Sequence, residues 1–137
     1  MKTKHILLTI SGILLADYLI AKTSTKPQII IRKKLPYNYN AQTLPPFGIY
    51  IKESEKDNKK LIDHELVHWK QYNRSGAILF YLKYLIQKTF YGYDKMPLEI
   101  EARKIVGESD HCQTNYTDCV TNGDSITVSN SEFREPK

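Results

Sequence analysis

The residues with the clearest chemical potential form the run His64-Glu65-Leu66-Val67-His68. Helical residues four apart lie on the same face, one turn apart, so His64 and His68 can direct two ring nitrogens at one metal ion. Glu65 is rotated by about 100° from His64, which keeps it from being a third ligand but leaves it able to hydrogen-bond a water on that ion. Zinc lowers the pKa of such a water towards ~7, and a nearby carboxylate can accept its proton. We therefore predict one zinc ion on the two histidines, with Glu65 as the catalytic base.

Catalytic zinc usually takes three protein ligands and keeps one position for water. Two candidates for the third ligand, Glu99 and Glu101, follow within a segment whose Pro97 is typical of a first helical turn. They lie about 200° apart around a helix, so both cannot face one ion. Spacing alone leaves this choice open.

The region around Glu99 resembles the gluzincin metallopeptidases, in particular their minimal single-domain members. In that clan the His-Glu-x-x-His helix is followed by a second helix, whose Glu, three residues before a small residue, completes the metal site. In this chain Glu99-Ile100-Glu101-Ala102 matches that pattern. The runs HELVHWKQY and PLEIEAR also resemble small, poorly characterised bacterial membrane proteins that carry such a pair. The resemblance covers roughly residues 47–107 and implies that Glu99 is the third zinc ligand.

The chain departs from the gluzincin pattern at one position. The larger gluzincins have an Asp four residues after the ligand Glu, where it can orient a metal-bound His, and this chain has Arg103 there. Arginine has no acceptor to offer. The acceptor that orients the histidine must therefore come from Asp63, Asp94 or a backbone carbonyl.

The resemblance has two further implications. In such peptidases the strand before the His helix runs along the cleft and pairs with an extended substrate, and residues 48–51 occupy that place here. An ordinary core strand is the alternative for this segment. A Tyr or His donor is also expected near the metal for the transition-state oxyanion, and Tyr91 or Tyr93 is near Glu99 in the sequence. A packed loop aromatic is the alternative for either tyrosine.

The segments that must position these residues predict an α+β, mainly α fold. Residues 28–35 and 47–52 have the β-branched enrichment or the alternation of short strands. Residues 61–74 have a helical pattern that Ser75-Gly76 ends. Residues 77–90 are apolar on nearly every side, which predicts a buried linking helix or one that lies against a membrane. A third helix, carrying the candidate glutamates, is predicted at 98–108.

A mostly apolar run at residues 6–21 follows Lys2 and Lys4 and contains Asp17. It falls short of the ~20 apolar residues that a comfortable membrane span needs, and a carboxylate inside a span is unfavourable. A signal-peptide core and a buried helix are therefore alternatives, although no Ala-x-Ala cleavage signal follows. We favour an uncleaved N-terminal anchor at 1–25, followed by a minimal zincin-like domain at 26–108 and a polar tail at 109–137.

Two observations disagree on the side of the membrane. The basic residues that follow the apolar run outnumber Lys2 and Lys4 before it, which favours a cytoplasmic domain by the positive-inside rule. Cys112 and Cys119 in the polar tail can close a short surface loop in an oxidising compartment, and two free thiols are the alternative. We expect the domain to lie outside the cytoplasm. A last short strand is predicted in the tail at 125–128.

Size and charge argue against other classes of protein. The 137 residues suffice for one compact domain, and a large buried cofactor would need walls that so short a chain can hardly supply. The net charge is +5, from 20 Lys and Arg against 15 Asp and Glu, but the positive residues are scattered and form no basic stripe interleaved with aromatics. Nucleic acid is therefore not an expected partner.

Three hypotheses for function follow from these patterns. The first is a membrane-associated zinc metallopeptidase that hydrolyses peptide bonds in a peptide or protein substrate. The second is a non-catalytic, zinc-stabilised membrane-associated protein with a binding or structural role, in which the ion clamps two helices together. The third is a metal-free basic membrane protein that binds lipid or a partner.

Overall fold

The computed structural model describes residues 2–107, which form four α-helices and a three-stranded sheet. In chain order the elements are α1 (Lys2–Thr23), β1 (Ile29–Arg32), β2 (Ala41–Leu44), β3 (Gly48–Lys52), α2 (Lys59–Ser75), α3 (Ala77–Tyr91) and α4 (Pro97–Ile105). The predicted α+β, mainly helical class is confirmed. The polar tail at 109–137, with Cys112, Cys119 and the strand predicted at 125–128, lies outside the described residues.

The three strands form one sheet in the order β1-β3-β2. β1 runs parallel to β3, with Ile29 opposite Ile49, and β2 runs antiparallel to it, with Ala41 opposite Ile51. Side chains alternate along β3, so Ile49 and Ile51 are buried in the core while Tyr50 is half-buried on the other face. The sheet thus presents one apolar face to the helices.

The central position of β3 corrects the prediction of a substrate strand at 48–51. Both edges of β3 are paired, so this segment is a core strand and has no free edge for a peptide. The edge strand β2 was not predicted. Its four residues, AQTL, have little β-branched character and precede Pro45-Pro46, so pairing with β3 and not local propensity makes this segment a strand.

α2 carries both the core and the candidate site. Asn58 caps its first turn by accepting a hydrogen bond from the Leu61 amide at 3.2 Å. Gly76 ends it at φ 84°, a conformation that glycine adopts without strain. The buried face of α2 holds an apolar set and a polar set: Val67, Trp69 and Tyr72, and His64, Glu65, His68 and Gln71.

The C-terminal part of α1 belongs to the core of the domain. Ala21 is fully buried in one cluster with Trp69 and Tyr72. The Trp69 indole donates to the Ser24 carbonyl at 2.8 Å, and the Asn73 amide donates to the carbonyls of Ala21 and Ser24. Side chains of α2 therefore bond carbonyls in the last turn of α1 and directly after it, where the helix offers few amide partners.

Asp17, which counts against a membrane span, has a structural role. Its carboxylate accepts hydrogen bonds from the amides of Ala77 and Ile78, both at 3.0 Å. These amides begin α3, and the residue at the N-cap position, Gly76, has no side chain that could accept from them. Asp17 therefore caps α3 from a different helix, with its negative charge at the positive end of the helix dipole.

α3 differs from the buried linking helix that its composition predicts. Among its side chains Phe80 is the one that is buried, whereas Leu85 is 64% exposed and Phe90 is 79% exposed. α3 packs against α1, α2 and α4 by one side. No element within residues 2–107 covers the other side, so the prediction of a buried helix is wrong, and the alternative of a helix that lies against a membrane stays a prediction.

Within residues 2–107, α1 is the one helix that is long and apolar enough to cross a membrane. Ala21, near the C-terminal end, is its one buried residue, and Leu14 and Asp17 are half-buried. A signal sequence or the core helix of a soluble protein meets the same criterion of length and composition.

We predict that Asp17→Ala lowers the free energy of unfolding by about 1–2 kcal/mol, because two amides at the start of α3 lose their acceptor. Denaturant titration in detergent micelles, followed by Trp69 fluorescence, measures this change. Ser11→Ala, on the exposed part of the same helix, is the control and should shift the free energy by less than about 0.5 kcal/mol. Equal stability of the two variants would contradict the capping role.

Candidate metal centre

α2 and α4 bring together the three residues predicted to bind metal. On α2, Nε2 of His64 lies 3.1 Å from Nε2 of His68. Across the interface, the Glu99 carboxylate on α4 places Oε2 at 3.2 Å from Nε2 of His64 and Oε1 at 3.2 Å from Nε2 of His68. All three side chains are buried. The two helices therefore close around one small polar site.

The three donor atoms fit a single metal ion. They lie within 4.8 Å of one another. A tetrahedral ion with bonds of about 2.1 Å holds its ligand atoms about 3.4 Å apart. The two histidine nitrogens are 3.1 Å apart, and each lies 3.2 Å from a Glu99 oxygen. Two imidazole nitrogens and a carboxylate oxygen are also donors that transition metals bind well. The buried group of His64, His68 and Glu99 can therefore hold a metal ion.

The negative charge of Glu99 is stabilised in this position. Burial alone would raise the pKa of its carboxyl, but the hydrogen bonds and charges of His64 and His68 outweigh burial and lower the pKa to about 2. Burial has the opposite effect on His68 and by itself would lower the pKa of the imidazole. The hydrogen bond and the charge of Glu99 outweigh burial and raise the pKa of His68. Glu99 is therefore ionised at neutral pH and offers an anionic ligand.

Gln71 orients the second histidine. Its Oε1 lies 2.8 Å from Nδ1 of His68. Its Nε2 donates to the Leu98 carbonyl at 3.0 Å and to the Glu101 carboxylate at 2.9 Å, and Arg74 holds the other Glu101 oxygen at 2.6 Å. Both acceptors lie at the amide nitrogen of Gln71, so the amide oxygen of Gln71 is the atom that faces the His68 ring. This oxygen accepts the proton on Nδ1 of His68 and leaves Nε2 of His68 for a metal.

Sequence analysis missed Gln71, because an Asp or a backbone carbonyl was expected in this role. The signal that could have found it is its place three residues after the second histidine, on the same face of the helix. The two expected aspartates are engaged elsewhere. Asp63 pairs with Lys59 at 3.0 Å, and Asp94 lies 3.6 Å from Arg103.

Glu65 is buried and lines the same cleft as His64 and Glu99. The Thr43 hydroxyl donates to its carboxylate at 2.6 Å and also lies 3.0 Å from its backbone carbonyl. Burial raises the pKa of Glu65, and the positive charge of His68 and the hydrogen bond from Thr43 only partly oppose that effect. The carboxylate is thus held in one orientation and made more basic than an exposed glutamate.

A cleft of about 230 Å³ opens onto this group, and His64, Glu65 and Glu99 line it. Of the two tyrosines expected near the metal, Tyr93 lines the cleft, whereas Tyr91 lies at the end of α3 and is 58% exposed. Burial and the charge of Glu99 raise the pKa of Tyr93. Its hydroxyl therefore keeps its proton at neutral pH and can donate a hydrogen bond.

Arg103, the departure from the gluzincin pattern, holds one wall of the cleft. Its guanidinium donates to the Asp94 carbonyl at 2.8 Å and lies 5.7 Å from the centre of the Tyr93 ring. Another of its nitrogens is 3.9 Å from the Glu99 carboxylate. Arg103 therefore fixes the loop that carries Tyr93 and adds positive charge beside the candidate ligands.

We predict that Gln71→Leu weakens metal binding by about 10-fold to 100-fold, because His68 loses the acceptor that orients its ring. Competition with a chromophoric chelator measures the dissociation constant for zinc. Gln28→Leu, an exposed position with the same change of side chain, should leave the constant unaltered. If both variants bind zinc as tightly as the wild type, Gln71 has no part in the site.

Comparisons with known proteins assign no family to this chain. No family model matches the sequence, and neither the curated proteins nor the solved structures contain a match. The gluzincin resemblance therefore stays a prediction drawn from two short motifs. The candidate metal centre rests on the contacts of His64, His68 and Glu99.

Proposed function

We propose that this protein is a zinc-dependent peptidase of gluzincin type, in which Glu65 activates the water that hydrolyses a peptide bond. One observation carries the proposal: a buried carboxylate with a raised pKa shares a cleft with candidate metal ligands. Burial of so many ionisable groups is costly for a small domain, and such clusters are typical of functional sites.

Zinc is the proposed ion. Two imidazoles and one carboxylate are the ligands of a common class of catalytic zinc site. Gln71 supports His68 through Nδ1, which is how ligand histidines are usually held. When bound, zinc supplies a Lewis acid that lowers the pKa of water and polarises a carbonyl oxygen. Side chains of this chain carry out the other steps.

Glu65 is the proposed general base. Its raised pKa brings its affinity for a proton closer to what proton transfer at neutral pH requires. Glu65 takes a proton from water as the water oxygen attacks the carbonyl carbon of the substrate. The same proton then passes to the nitrogen of the leaving amine as the C–N bond breaks, so the carboxylate acts first as base and then as acid.

The edge of β2 is the proposed binding site for an extended substrate. The Lys52 amide donates to the Asn40 carbonyl at 2.9 Å, which makes these two residues a hydrogen-bonded pair. Hydrogen bonding alternates along an antiparallel ladder, so the backbone groups of Ala41 and Thr43 point away from β3. Ala41 also lines the cleft. A peptide strand added at this edge would pass in front of Glu65 and make few demands on sequence.

Tyr93 is the proposed donor to the oxyanion of the transition state. Tyr93 lines the same cleft as Glu99, and its hydroxyl is protonated. The Arg103 guanidinium contacts the Tyr93 ring. A donor fixed before the reaction stabilises developing negative charge without reorganisation. This role rests on Tyr93 alone, since Tyr91 does not line the cleft.

A specific observation also favours a non-catalytic role. The candidate ligands join α2 to α4, a helix of nine residues, so an ion held there would stabilise the fold of a small domain. In this second candidate function, zinc clamps the two helices of a membrane-associated binding or structural protein.

We propose further that α1 anchors the chain in a membrane as a single span, with the domain outside the cytoplasm. The length and apolar character of α1 support the anchor. Cys112 and Cys119 support the oxidising side, although the basic residues that follow α1 favour the opposite orientation.

We predict that Glu65→Gln retains about one equivalent of zinc and lowers the rate of peptide hydrolysis by about 100-fold to 10,000-fold, because an amide cannot accept the proton. Elemental analysis measures the zinc, and cleavage of an unstructured protein, followed by mass spectrometry, measures the rate. Glu53→Gln, in an exposed turn, is the matched control and should cleave like the wild type.

Two results would contradict the role of Glu65. Hydrolysis by Glu65→Gln at the rate of the control would exclude the residue as the base. A wild type that holds zinc but cleaves no bond in the unstructured protein would favour the structural clamp.

A further inference from the structure

α3 is apolar on the side that faces away from the domain as well as on the side that faces it. Its inward side carries the buried Phe80 and the half-buried Tyr84 and Gln87. Its outward side carries five aliphatic residues that are between 40% and 64% exposed: Ile78, Leu79, Leu82, Leu85 and Ile86. A helix that faces water has polar or charged residues on its outward side. The outward face of α3, defined by these five residues, therefore fits an apolar surrounding.

The two charged residues of α3 lie at the margins of this face. Lys83 and Lys88 are each rotated by about 110° from its centre, one on either side. Both are exposed, and no acidic residue occurs in α3. Long lysine stems can extend along an apolar surface and bring their ammonium groups to its polar boundary. This arrangement suits a helix embedded to part of its depth.

The neighbouring N-terminal region has the same combination of apolar and basic residues. Up to Lys52 the one acidic residue is Asp17, which is engaged by the start of α3. The basic residues of this region are Lys2, Lys4, Lys22, Lys26, Arg32, Lys33, Lys34 and Lys52. The other acidic residues follow from Glu53 onward and lie outside α1 and α3. This charge distribution complements an anionic lipid surface.

α1 and α3 meet without a gap. Asp17 bonds the first amides of α3, and a Cβ placed on Gly76 would collide with the Asp17 carboxylate. The first turn of α3, which carries Ile78 of the outward face, therefore lies directly beside the apolar helix α1. A bilayer that holds α1 is already next to α3.

We propose that the outward face of α3 lies on an anionic lipid bilayer, parallel to its surface, as a second membrane contact beside α1. The 15 residues of α3 extend over about 22 Å and cannot cross a hydrocarbon core of about 30 Å. Phe90 and Tyr91 at its end are exposed aromatics of the kind that membrane interfaces favour. The proposal does not depend on peptidase activity.

Spin-label accessibility in vesicles tests this proposal. Because α1 can hold the chain at a bilayer by itself, binding to vesicles does not test α3, and the depth of individual residues does. The full chain, with Cys112→Ser and Cys119→Ser, is reconstituted into vesicles of phosphatidylcholine and phosphatidylglycerol. A nitroxide label is attached to Leu82→Cys or to Leu85→Cys. Lys59→Cys, at the exposed start of α2, is the matched control. Circular dichroism checks that each variant is folded.

The expected result is a ratio of oxygen to nickel-chelate accessibility at Leu82→Cys and Leu85→Cys severalfold higher than at Lys59→Cys. Chelate accessibility as high as at the control would overturn the proposal, because the face would then lie in water. Low accessibility to both reagents would also overturn it, because protein would then cover the face. In that case spin–spin broadening would indicate that a second copy of the chain covers the face. A ratio that is unchanged in vesicles without phosphatidylglycerol would overturn the preference for anionic lipid.

Discussion

Burying the charge of Glu99 is costly unless it is compensated, and the compensation comes from His64 and His68 on a different helix. This requirement fixes how α4 packs on α2. A second polar tie runs in parallel, in which Gln71 connects His68 to Glu101. The interface between the two helices is therefore polar and specific, and it sets the geometry of the site through regular elements instead of loops.

The apolar core that supports this interface is small. One cluster consists of the buried face of β3, Trp69 and Tyr72 of α2, Phe80 of α3 and Ala21 at the end of α1. Further buried apolar residues are Val67 on α2 and Met96, Leu98 and Ala102 in or directly before α4. With so little to bury, the domain packs α3 by one side and depends on α1 for part of its core. Asp17 connects α1 to α3, because its carboxylate, which is unfavourable in an apolar helix, accepts hydrogen bonds from the first two amides of α3. α1 and the rest of the domain are thus one structural unit within the described residues.

Local patterns were enough to predict the helices and the pair of His64 and His68, whereas Glu99 was preferred to Glu101 because of the resemblance to gluzincins. The alignment of His64 with His68 depends only on the helical period. The end of α2 follows from a local stop signal, the glycine directly after it. β2 could not be predicted, because its strand conformation comes from pairing with β3. Gln71 was missed because its role depends on a carbonyl and a carboxylate supplied by α4. The exposure of α3 depends on how many elements pack around it, and the amino-acid composition of the helix does not determine that number.

The zinc content of three purified proteins, the wild type, Glu99→Ala and Glu101→Ala, tests the central claim most directly. The two variants make the same change two positions apart on α4, and only Glu99 touches the histidines. We expect about one equivalent of zinc in the wild type and in Glu101→Ala, and a large loss in Glu99→Ala. Less than about half an equivalent in the wild type, or equal retention in the two variants, would contradict a metal centre built on Glu99.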